Sequence, residues 1–423
     1  MDPARSDRIY ERQASVLLDL YGKAAITVRA GKPLDTTLSH FYHEHPEFGS
    51  RDRRLFSGTV FSFFRWKGWI DRVARKPDTA CVTAHMLESA EIHPAILKLA
   101  ERAGLPVDSV TALGALSIHD KARKLCQLTG IDLASAQLVP DWIIPMLGHD
   151  SEKLIESFQT PPPTWLRTRP EDRATVLPVL GEMGAEPMAH PLIPSALSVT
   201  RGINLRALPK TLRHLIDIQD LASQLTGLVC DPKPGETWWD ACCGSGGKTL
   251  HLSALGGPSL SLLATDIRPD ILEELHRRLG ETGNPSIKTA IWNGATQPPP
   301  DGYFDGILLD APCSGTGTWH RNPDARWRIQ REAVESLIVL QSQLLRACAT
   351  RLKPGGSLVY ATCSVTRDEN ERAVERFLDE TPGVTLAPFT SPLSHEPCHG
   401  ILRITPWDGL CNGMGVARFR KQG

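Results

Sequence analysis

Short apolar runs alternate with helical segments over the second half of the chain, from Thr237 onward. This alternation predicts a doubly wound α/β fold, in which helices cover both faces of a parallel sheet. The predicted strands are 237–242, 260–266, 287–292, 304–310 and 357–363, and the predicted helices are 248–255, 269–279, 331–352 and 368–379. Because ligands bind at the carboxyl ends of strands in such sheets, the residues that follow these strands are the first candidates for a functional site.

The rest of the chain divides into two further predicted domains. Apolar residues recur every three or four positions from about residue 9 to residue 147, without strand-like alternation, which predicts an all-α domain over 1–150. The run Thr160-Pro161-Pro162-Pro163 cannot continue a helix and marks a domain entry. Short strand-like pieces around one helix follow it. We therefore predict a small α/β module over 151–225 and the sheet-containing domain over 226–423.

The composition is ordinary for a soluble globular protein, with 41% hydrophobic and 22% charged residues. The amino terminus is charged where a signal peptide would be apolar, and no later run is long enough to cross a bilayer. The ten cysteines contain no Cys-x-x-Cys unit, which indicates neither a zinc site nor a disulfide framework. We expect a cytoplasmic monomer with reduced thiols, no metal and no membrane partner.

The net charge of −1 does not by itself indicate a nucleic-acid-binding protein, but two segments are locally basic. Segment 51–76 carries eight basic residues against two acidic ones, which suits a phosphate-binding patch and a solvated helix face equally well. Segment 319–331 mixes aromatic and basic side chains that could stack bases and bind phosphates, although its tryptophans could instead pack under the next helix. These side chains are Trp319, His320, Arg321, Arg326, Trp327, Arg328 and Arg331.

A glycine-rich segment, 240–249, joins the first predicted strand to a helix, so its backbone can approach a ligand closely. It has neither the glycine spacing of a phosphate-binding loop nor the Gly-x-Gly-x-x-Gly pattern of dinucleotide sites. Asp266 ends the second predicted strand, where a carboxylate can accept hydrogen bonds from ribose hydroxyls. Asn293 follows the third strand and could bond an adenine edge. Either residue could be a turn former, but their positions favour a nucleoside ligand, and we expect S-adenosylmethionine.

Two cysteines, Cys313 and Cys363, follow the last two predicted strands. Thiols at neighbouring strand ends can both reach one substrate base. Addition of a thiolate to carbon 6 of a pyrimidine lets carbon 5 accept a methyl group, so the pair predicts pyrimidine methylation. Asp310 precedes Cys313 by three residues and could bind or protonate ring nitrogen 3. The alternative for any cysteine is a small buried hydrophobe, which we assign to Cys81, Cys126, Cys230, Cys348, Cys398 and Cys411.

Four motifs resemble those of the RNA 5-methylcytosine methyltransferases of the Sun/RsmB (NOL/NOP/Sun) family. They are Asp-Ala-Pro-Cys-Ser-Gly-Thr-Gly at 310–317, Ala-Thr-Cys-Ser at 361–364, Gly-Gly-Lys-Thr at 246–249 and Gln-Asp-Leu-Ala-Ser-Gln at 219–224. Phe-Gly-Ser-Arg-Asp-Arg at 48–53 resembles the NusB-like domain of the ribosomal RNA members. The resemblance implies a Rossmann-like S-adenosylmethionine-dependent methyltransferase domain, preceded by an all-α NusB-like RNA-binding domain and a small α/β module.

The resemblance also implies a role for each candidate residue. Cys363 is then the nucleophile that forms the covalent adduct, Cys313 assists release of the methylated product, and Asp310 contacts the base. S-adenosylmethionine is held by Cys242, Cys243, Gly244, Ser245, Gly246, Gly247, Lys248, Asp266, Asn293 and Asp310.

The leading hypothesis is methylation of carbon 5 of a cytosine in ribosomal RNA. A single-stranded loop or an exposed cytosine is the expected target, because a base inside a duplex cannot reach a pocket. Transfer RNA is the alternative substrate, and a non-catalytic RNA-binding factor for ribosome assembly is the alternative class. A further alternative is DNA cytosine methylation, in which Cys313 would be the nucleophile.

Overall fold

The computed structural model describes residues 3–200, 208–282, 287–294 and 296–423. The chain forms two compact units, one made of Met1–Pro161 and Trp319–Arg331 and the other of Pro162–Thr318 and Glu332–Gly423. We call the first the helical unit and the second the sheet unit. No helix within the described ranges is long and apolar enough to span a membrane.

The helical unit is built around one long central helix. Its first eight helices are α1 (Pro3–Arg29), α2 (Leu34–Glu44), α3 (Ser50–Val73), α4 (Pro77–Glu88), α5 (Pro94–Ala103), α6 (Ile118–Thr129), α7 (Ile144–Leu147) and α8 (Ser151–Ser157). Helix α3 is apolar around most of its circumference, and Trp66 and Trp69 are completely buried, as expected for a helix enclosed by others. The buried indole of Trp66 donates a hydrogen bond to Glu88 at 2.8 Å, so its one polar atom is satisfied.

The sheet unit begins with a small antiparallel sheet. Its elements in chain order are β1 (Thr164–Arg167), α9 (Arg173–Glu182), β2 (Pro187–Ala189), β3 (Ala196–Val199), α10 (Lys210–Arg213) and β4 (Asp217–Ile218). The strand order is β2-β3-β1-β4, and apolar side chains of β1 and β3 pack on α9. This sheet falls within the predicted module over 151–225, of which residues 201–207 lie outside the described residues.

The remaining elements alternate strands and helices. They are α11 (Leu221–Cys230), β5 (Thr237–Asp240), α12 (Gly247–Gly256), β6 (Ser261–Asp266), α13 (Pro269–Thr282), β7 (Ile287–Ile291), β8 (Phe304–Asp310), α14 (Ala325–Arg328), α15 (Arg331–Thr350), β9 (Leu352–Thr362), α16 (Glu371–Glu380), β10 (Val384–Leu386), β11 (Phe389–Thr390), β12 (Pro397–Cys398), β13 (Ile401–Ile404) and β14 (Met414–Lys421). The predicted strands and helices from 237 to 379 are confirmed, with most ends shifted by a few residues.

The main sheet has the order β10-β14-β9-β8-β5-β6-β7. Strands β5 to β9 are parallel, which confirms the Rossmann-like α/β fold, whereas β10, β13 and β14 add an antiparallel edge that the sequence pattern did not predict. From β5 the chain proceeds outward to β6 and β7, then returns to β8 on the other side of β5. The connections diverge at this reversal and leave a crevice at the carboxyl ends of the strands.

Both faces of the sheet are buried. Trp238 and Leu308 contribute to the apolar core on one face, while Trp239 and Leu309 contribute to the core on the other. Consecutive strand residues point to opposite faces, so a strand covered on both sides must be apolar at every position. This requirement explains why the sequence shows short continuous apolar runs rather than alternation.

The segment 319–331 belongs to the helical unit, although it follows β8 in the sequence. Trp319, His320 and Arg326 are buried, which agrees with the packing alternative for Trp319 and leaves these three side chains unavailable to stack bases or bind phosphates. The Arg326 guanidinium donates hydrogen bonds to the backbone oxygens of Leu138 at 3.0 Å and Phe158 at 3.3 Å. Buried arginine is stable only with such partners, because an unsatisfied charged group in the interior is costly. These side chains therefore fasten the segment into the helical unit.

Candidate active site

The two predicted cysteines meet at the carboxyl ends of neighbouring strands. Strands β8 and β9 run parallel, with Asp310 beside Ala361, so the loops that follow them start level with each other. The Sγ atoms of Cys313 and Cys363 lie 3.2 Å apart, within hydrogen-bonding distance for a thiol pair. Both side chains are half-buried rather than sealed in the core. Four of the other cysteines assigned as buried hydrophobes are buried, whereas Cys126 and Cys398 are only half-buried.

A glycine allows the two cysteine loops to approach. The backbone N–H of Gly317 donates to the carbonyl oxygen of Cys363 at 2.9 Å, and the carbonyl oxygen of Gly317 accepts from Gly413 at 2.9 Å. A Cβ atom at position 317 would lie 1.9 Å from the Gly413 oxygen. Only glycine fits between these two backbones, which gives a physical reason for the last glycine of the 310–317 motif.

A buried carboxylate, Glu369, joins the two loops and was not among the predicted site residues. Its Oε2 accepts hydrogen bonds from the hydroxyls of Ser314 at 2.5 Å, Ser364 at 2.6 Å and Thr366 at 2.9 Å. Its Oε1 accepts from the Ser314 backbone at 2.8 Å and from Gln341 at 3.0 Å. The only sequence signal for this network is that each cysteine is followed directly by a serine.

The Cys313 thiol holds its proton strongly. Its hydrogen bond with Cys363 and its burial, together with the charges of Cys363 and Glu369, raise the pKa of Cys313 well above the ordinary value. A thiol with a raised pKa stays protonated at neutral pH and can donate a hydrogen bond to a neighbouring sulfur.

Asp310 forms an ion pair with Lys248 beside the cysteine pair. The Nζ of Lys248 lies 2.6 Å from Oδ2 of Asp310 and donates a second hydrogen bond to the Ser223 hydroxyl at 3.3 Å. Burial opposes the charge on Lys248, but the Asp310 carboxylate and its hydrogen bond outweigh burial and raise the pKa of the ammonium group. Cys363 is close enough to raise that pKa further. Lys248 thus places a fixed positive charge between β5 and β8.

The predicted cofactor turn has the backbone shape that its glycines suggest. Gly244 and Gly246 have φ angles of 53° and 84°, in the left-handed region that favours glycine. The Gly244 N–H donates to Oδ2 of Asp266 at 3.0 Å, which links the turn to the end of β6. The oxygen of Ser245 accepts from Arg278 at 2.7 Å, and that of Gly247 accepts from Gln219 at 3.2 Å.

Asp266 ends β6 as predicted and is held by Arg268. The Arg268 guanidinium approaches Oδ1 at 2.9 Å and Oδ2 at 3.1 Å. Burial would raise the pKa of Asp266, but these hydrogen bonds outweigh it and lower the pKa, so the group is a carboxylate at neutral pH. The Arg268 side chain is 57% exposed and can therefore turn into solvent to release the carboxylate. Asn293 follows β7 next to Asp266, because the Trp292 N–H donates to the Asp266 backbone oxygen at 3.1 Å.

The acid and the thiols at the end of β5 hold their protons more strongly than usual. Burial, opposed in part by a hydrogen bond from Thr249, raises the pKa of Asp240 to about 7. Burial also raises the pKa values of Cys242 and Cys243, so both thiols stay protonated. They shape the turn as small apolar groups and are not poised for thiolate chemistry.

The basic segment of the helical unit is only partly available to a ligand. Arg65 is buried, lies 3.6 Å from Glu88 and donates to the His320 backbone oxygen at 2.9 Å. Five of the eight basic side chains predicted in segment 51–76 are exposed, namely Arg51, Arg54, Arg72, Arg75 and Lys76. Elsewhere in this unit, His119, Glu152 and Glu156 place one potential metal-ligand atom each within 4.8 Å of the others.

Comparison with known proteins gives concordant matches. The family model for 16S rRNA methyltransferase RsmB/F matches residues 227–420. The chain is 34% identical over 322 residues to the probable ribosomal RNA small subunit methyltransferase B of Synechocystis, covering 72% of this chain and 71% of the relative. It is 34% identical over 307 residues to ribosomal RNA small subunit methyltransferase B of Pasteurella multocida, covering 70% and 68%.

A solved structure with a similar fold is NSun6 from Pyrococcus horikoshii with SFG, an analogue of S-adenosylmethionine. The match has a TM-score of 0.60 at 18% identity and covers 67% of this chain and 97% of NSun6. At this identity the likeness concerns the fold.

Proposed function

The chain belongs to the RsmB/F family of ribosomal RNA methyltransferases, and on this premise we propose that it methylates carbon 5 of a cytosine in ribosomal RNA through a covalent adduct on Cys363. The observation that carries the proposal is the 3.2 Å contact between the Cys363 and Cys313 sulfurs, beside the ion pair of Lys248 with Asp310. A thiol pair and a carboxylate at one strand edge supply a nucleophile, a hydrogen-bond donor and a base-recognising acceptor.

The cofactor is S-adenosylmethionine, which supplies an electrophilic methyl group when bound. The residues at the ends of β5 to β7 fit it. The glycine turn leaves open space beside Gly244, where a Cβ would meet no atom within 4 Å. Asp266 offers a carboxylate for ribose hydroxyls once Arg268 turns away, and Asn293 offers an amide for the adenine edge. Among the described residues, the buried Oε1 of Gln219 beside this turn has no hydrogen-bond partner and can accept one from a ligand.

Cys363 acts as the nucleophile. Its proton passes to solvent, and the thiolate is stabilised by the S–H of Cys313 and by the Lys248 ammonium. The Cys363 sulfur then bonds to carbon 6 of the cytosine, and the electron pair of the 5,6 double bond makes carbon 5 nucleophilic. The hydrogen bond with Cys363 and burial raise the pKa of Cys313, which favours Cys313 as the donor and Cys363 as the nucleophile.

Asp310 selects cytosine over uracil. Cytosine presents an amino group at carbon 4, which donates to a carboxylate, whereas uracil presents a carbonyl oxygen there. The Lys248 ammonium donates to Oδ2 of Asp310 at 2.6 Å, and in this ion pair the carboxylate oxygens are acceptors for the base. If uracil were bound, its carbonyl oxygen and the carboxylate oxygen would face each other as two acceptors with no hydrogen-bond donor between them, which disfavours uracil.

Product release reverses the addition. After methylation a water molecule takes the proton from carbon 5, the electron pair of that C–H bond restores the double bond, and the bond from carbon 6 to the Cys363 sulfur breaks. The departing thiolate of Cys363 accepts a hydrogen bond from Cys313, whose sulfur lies 3.2 Å away. Cys313 therefore stabilises the leaving group, which accounts for its assistance to release.

The helical unit is proposed to bind RNA as a NusB-like domain. The exposed cations near α3, including Arg51, Arg54 and Arg75, can contact phosphates without reading sequence. This contribution is expected to weaken as salt rises.

The test is transfer of labelled methyl groups from S-adenosylmethionine to total RNA from cells that lack the protein, followed by nucleoside identification. The expected result is labelled 5-methylcytidine in the ribosomal fraction. Label only in transfer RNA would keep the chemistry and contradict the substrate. No label in free RNA or in ribosomal subunits would contradict the enzyme and favour a non-catalytic assembly factor.

A further inference from the structure

Glu369 is a buried acid that the proposed chemistry does not use. Its side chain is completely buried, and no lysine or arginine in the described parts of the chain forms an ion pair with it. An ionised carboxylate in the interior is costly unless several donors satisfy it. Five donors do so here, and four of them come from the two cysteine loops: the Ser314 N–H and the hydroxyls of Ser314, Ser364 and Thr366.

The donors divide evenly between the loops. Ser314 follows Cys313 directly and contributes two hydrogen bonds, of 2.8 and 2.5 Å. Ser364 follows Cys363 directly and contributes one of 2.6 Å, supported by Thr366 at 2.9 Å. One carboxylate therefore binds the residue next to each of the two cysteines and joins their loops.

The carboxylate also carries a charge close to one sulfur. Negative charge near a thiol favours the protonated form, and Glu369 is among the groups that act this way on Cys313. The hydrogen bond with Cys363 and the charges of Cys363 and Glu369 contribute to the raised pKa of Cys313. Cys313 in turn contributes to the raised pKa of Tyr360, which is mainly due to burial. The cation Lys248 interacts electrostatically with Cys363. Each thiol thus interacts with a different charged neighbour, Cys313 with the buried anion and Cys363 with the cation.

We propose that Glu369 is the positioning residue that sets the distance between the two cysteine loops and keeps the shared proton on Cys313, so that Cys363 is the sulfur that attacks. This rests on the roles proposed above for the cysteines. The field between Glu369 and Lys248 distinguishes two chemically identical side chains. Cys313 remains the hydrogen-bond donor through both the addition and the release.

The test compares Glu369→Gln with Glu375→Gln. Glutamine preserves the size of Glu369 and removes its charge, and Glu375 is an exposed acid on α16 that serves as the matched control. Site-specific alkylation by iodoacetamide is followed against pH for Cys313, in the full chain without RNA or cofactor. We expect Cys313 of Glu369→Gln to react roughly three to ten times faster at pH 8 than in the control, since loss of a nearby charge favours the thiolate. Equal rates would overturn the proposal.

A second variant addresses the distance without removing the charge. Ser314→Ala deletes one hydroxyl donor, so we expect kcat to fall about tenfold while the KM for RNA stays within twofold. Unchanged kcat would overturn the positioning role, and this milder change covers the case in which Glu369→Gln fails to fold. The alkylation assay needs no methyl transfer, so it can fail or succeed independently of the proposed reaction.

Discussion

The sheet unit carries two pairs of cysteines at the ends of its parallel strands, and their surroundings are opposite. Cys242 and Cys243 are neighbours in sequence and follow β5, where burial keeps both protonated. Cys313 and Cys363 are separated by fifty positions, yet their sulfurs lie 3.2 Å apart. The first pair lines a backbone turn, and the second pair has a cation, a buried anion and a carboxylate around it.

The comparison indicates that the environment of a cysteine, and not the residue type alone, determines whether its thiol is reactive. A thiol becomes a nucleophile when neighbouring charges and donors stabilise the thiolate. Lys248 supplies such a charge near Cys363, whereas burial, reinforced by the neighbouring acids Asp240 and Asp266, raises the pKa values of the β5 pair. Under the proposed roles, the cysteines at the cofactor turn serve for shape, and those beside the base serve for chemistry.

Replacement of one cysteine of each pair by alanine should give the largest difference in activity between the two pairs. Cys363→Ala removes the only proposed nucleophile, so methylation should fall more than about a thousandfold. Cys242→Ala removes a small apolar group and should lower activity within about tenfold. Methyl transfer to RNA by both purified variants is the measurement, with thermal melting to confirm folding. Comparable losses of activity in the two variants would contradict the assignment of different roles to the two cysteine pairs.

Removal of the Lys248 charge should cause the second-largest loss of activity, through its effect on Asp310 and Cys363. Lys248→Met leaves Asp310 without its 2.6 Å partner and Cys363 without a neighbouring cation, and kcat/KM should fall roughly a hundredfold. Lys288→Met, at an exposed lysine on β7, is the control and should behave as the unmodified protein. If Lys248→Met retains full kcat/KM, the ion pair has no part in the reaction.

Replacement of Asp240, at the end of β5, tests the stability of the fold and not the activity. Its folded pKa of about 7 lies above the value near 4 of an unfolded aspartate, so between these pH values the folded state alone holds the proton. This group therefore lowers the free energy of unfolding as pH rises from about 4 to 7. In Asp240→Asn that decrease should be smaller by about 4 kcal/mol, measured by urea unfolding across the range.

The control for Asp240 is Asp379→Asn, at an exposed acid on α16. It should retain the pH dependence of the unmodified protein. A pH dependence in Asp240→Asn equal to that of this control would show that Asp240 is ionised in the folded state.

The parallel core and the strand-end positions of the candidate residues were predictable because both leave local patterns. Apolar runs mark strands buried on both faces, and Cys313, Cys363, Asp266 and Asn293 directly follow such runs. The antiparallel edge was not predictable, since β14 pairs with β9 across more than fifty positions of intervening chain. Pairing over that distance depends on the tertiary fold and not on local sequence.

The errors concern burial, which a single charged or aromatic residue does not reveal. Arg326 and Trp319 resemble a nucleic-acid contact in sequence, yet both are buried in the helical unit among backbone oxygens. Glu369 resembles a surface acid before a helix, yet it is buried and joins two loops. A buried polar residue is recognised by its partners, and those partners are distant in the sequence.

In the proposed reaction, Cys363 attacks the base and Cys313 assists the release of the methylated RNA. The most direct measurement is a denaturing gel of Cys313→Ala incubated with substrate RNA and S-adenosylmethionine. We expect a stable RNA–protein adduct that disappears in the double variant Cys313→Ala/Cys363→Ala. An adduct that persists in the double variant, or one trapped by Cys363→Ala alone, would contradict it.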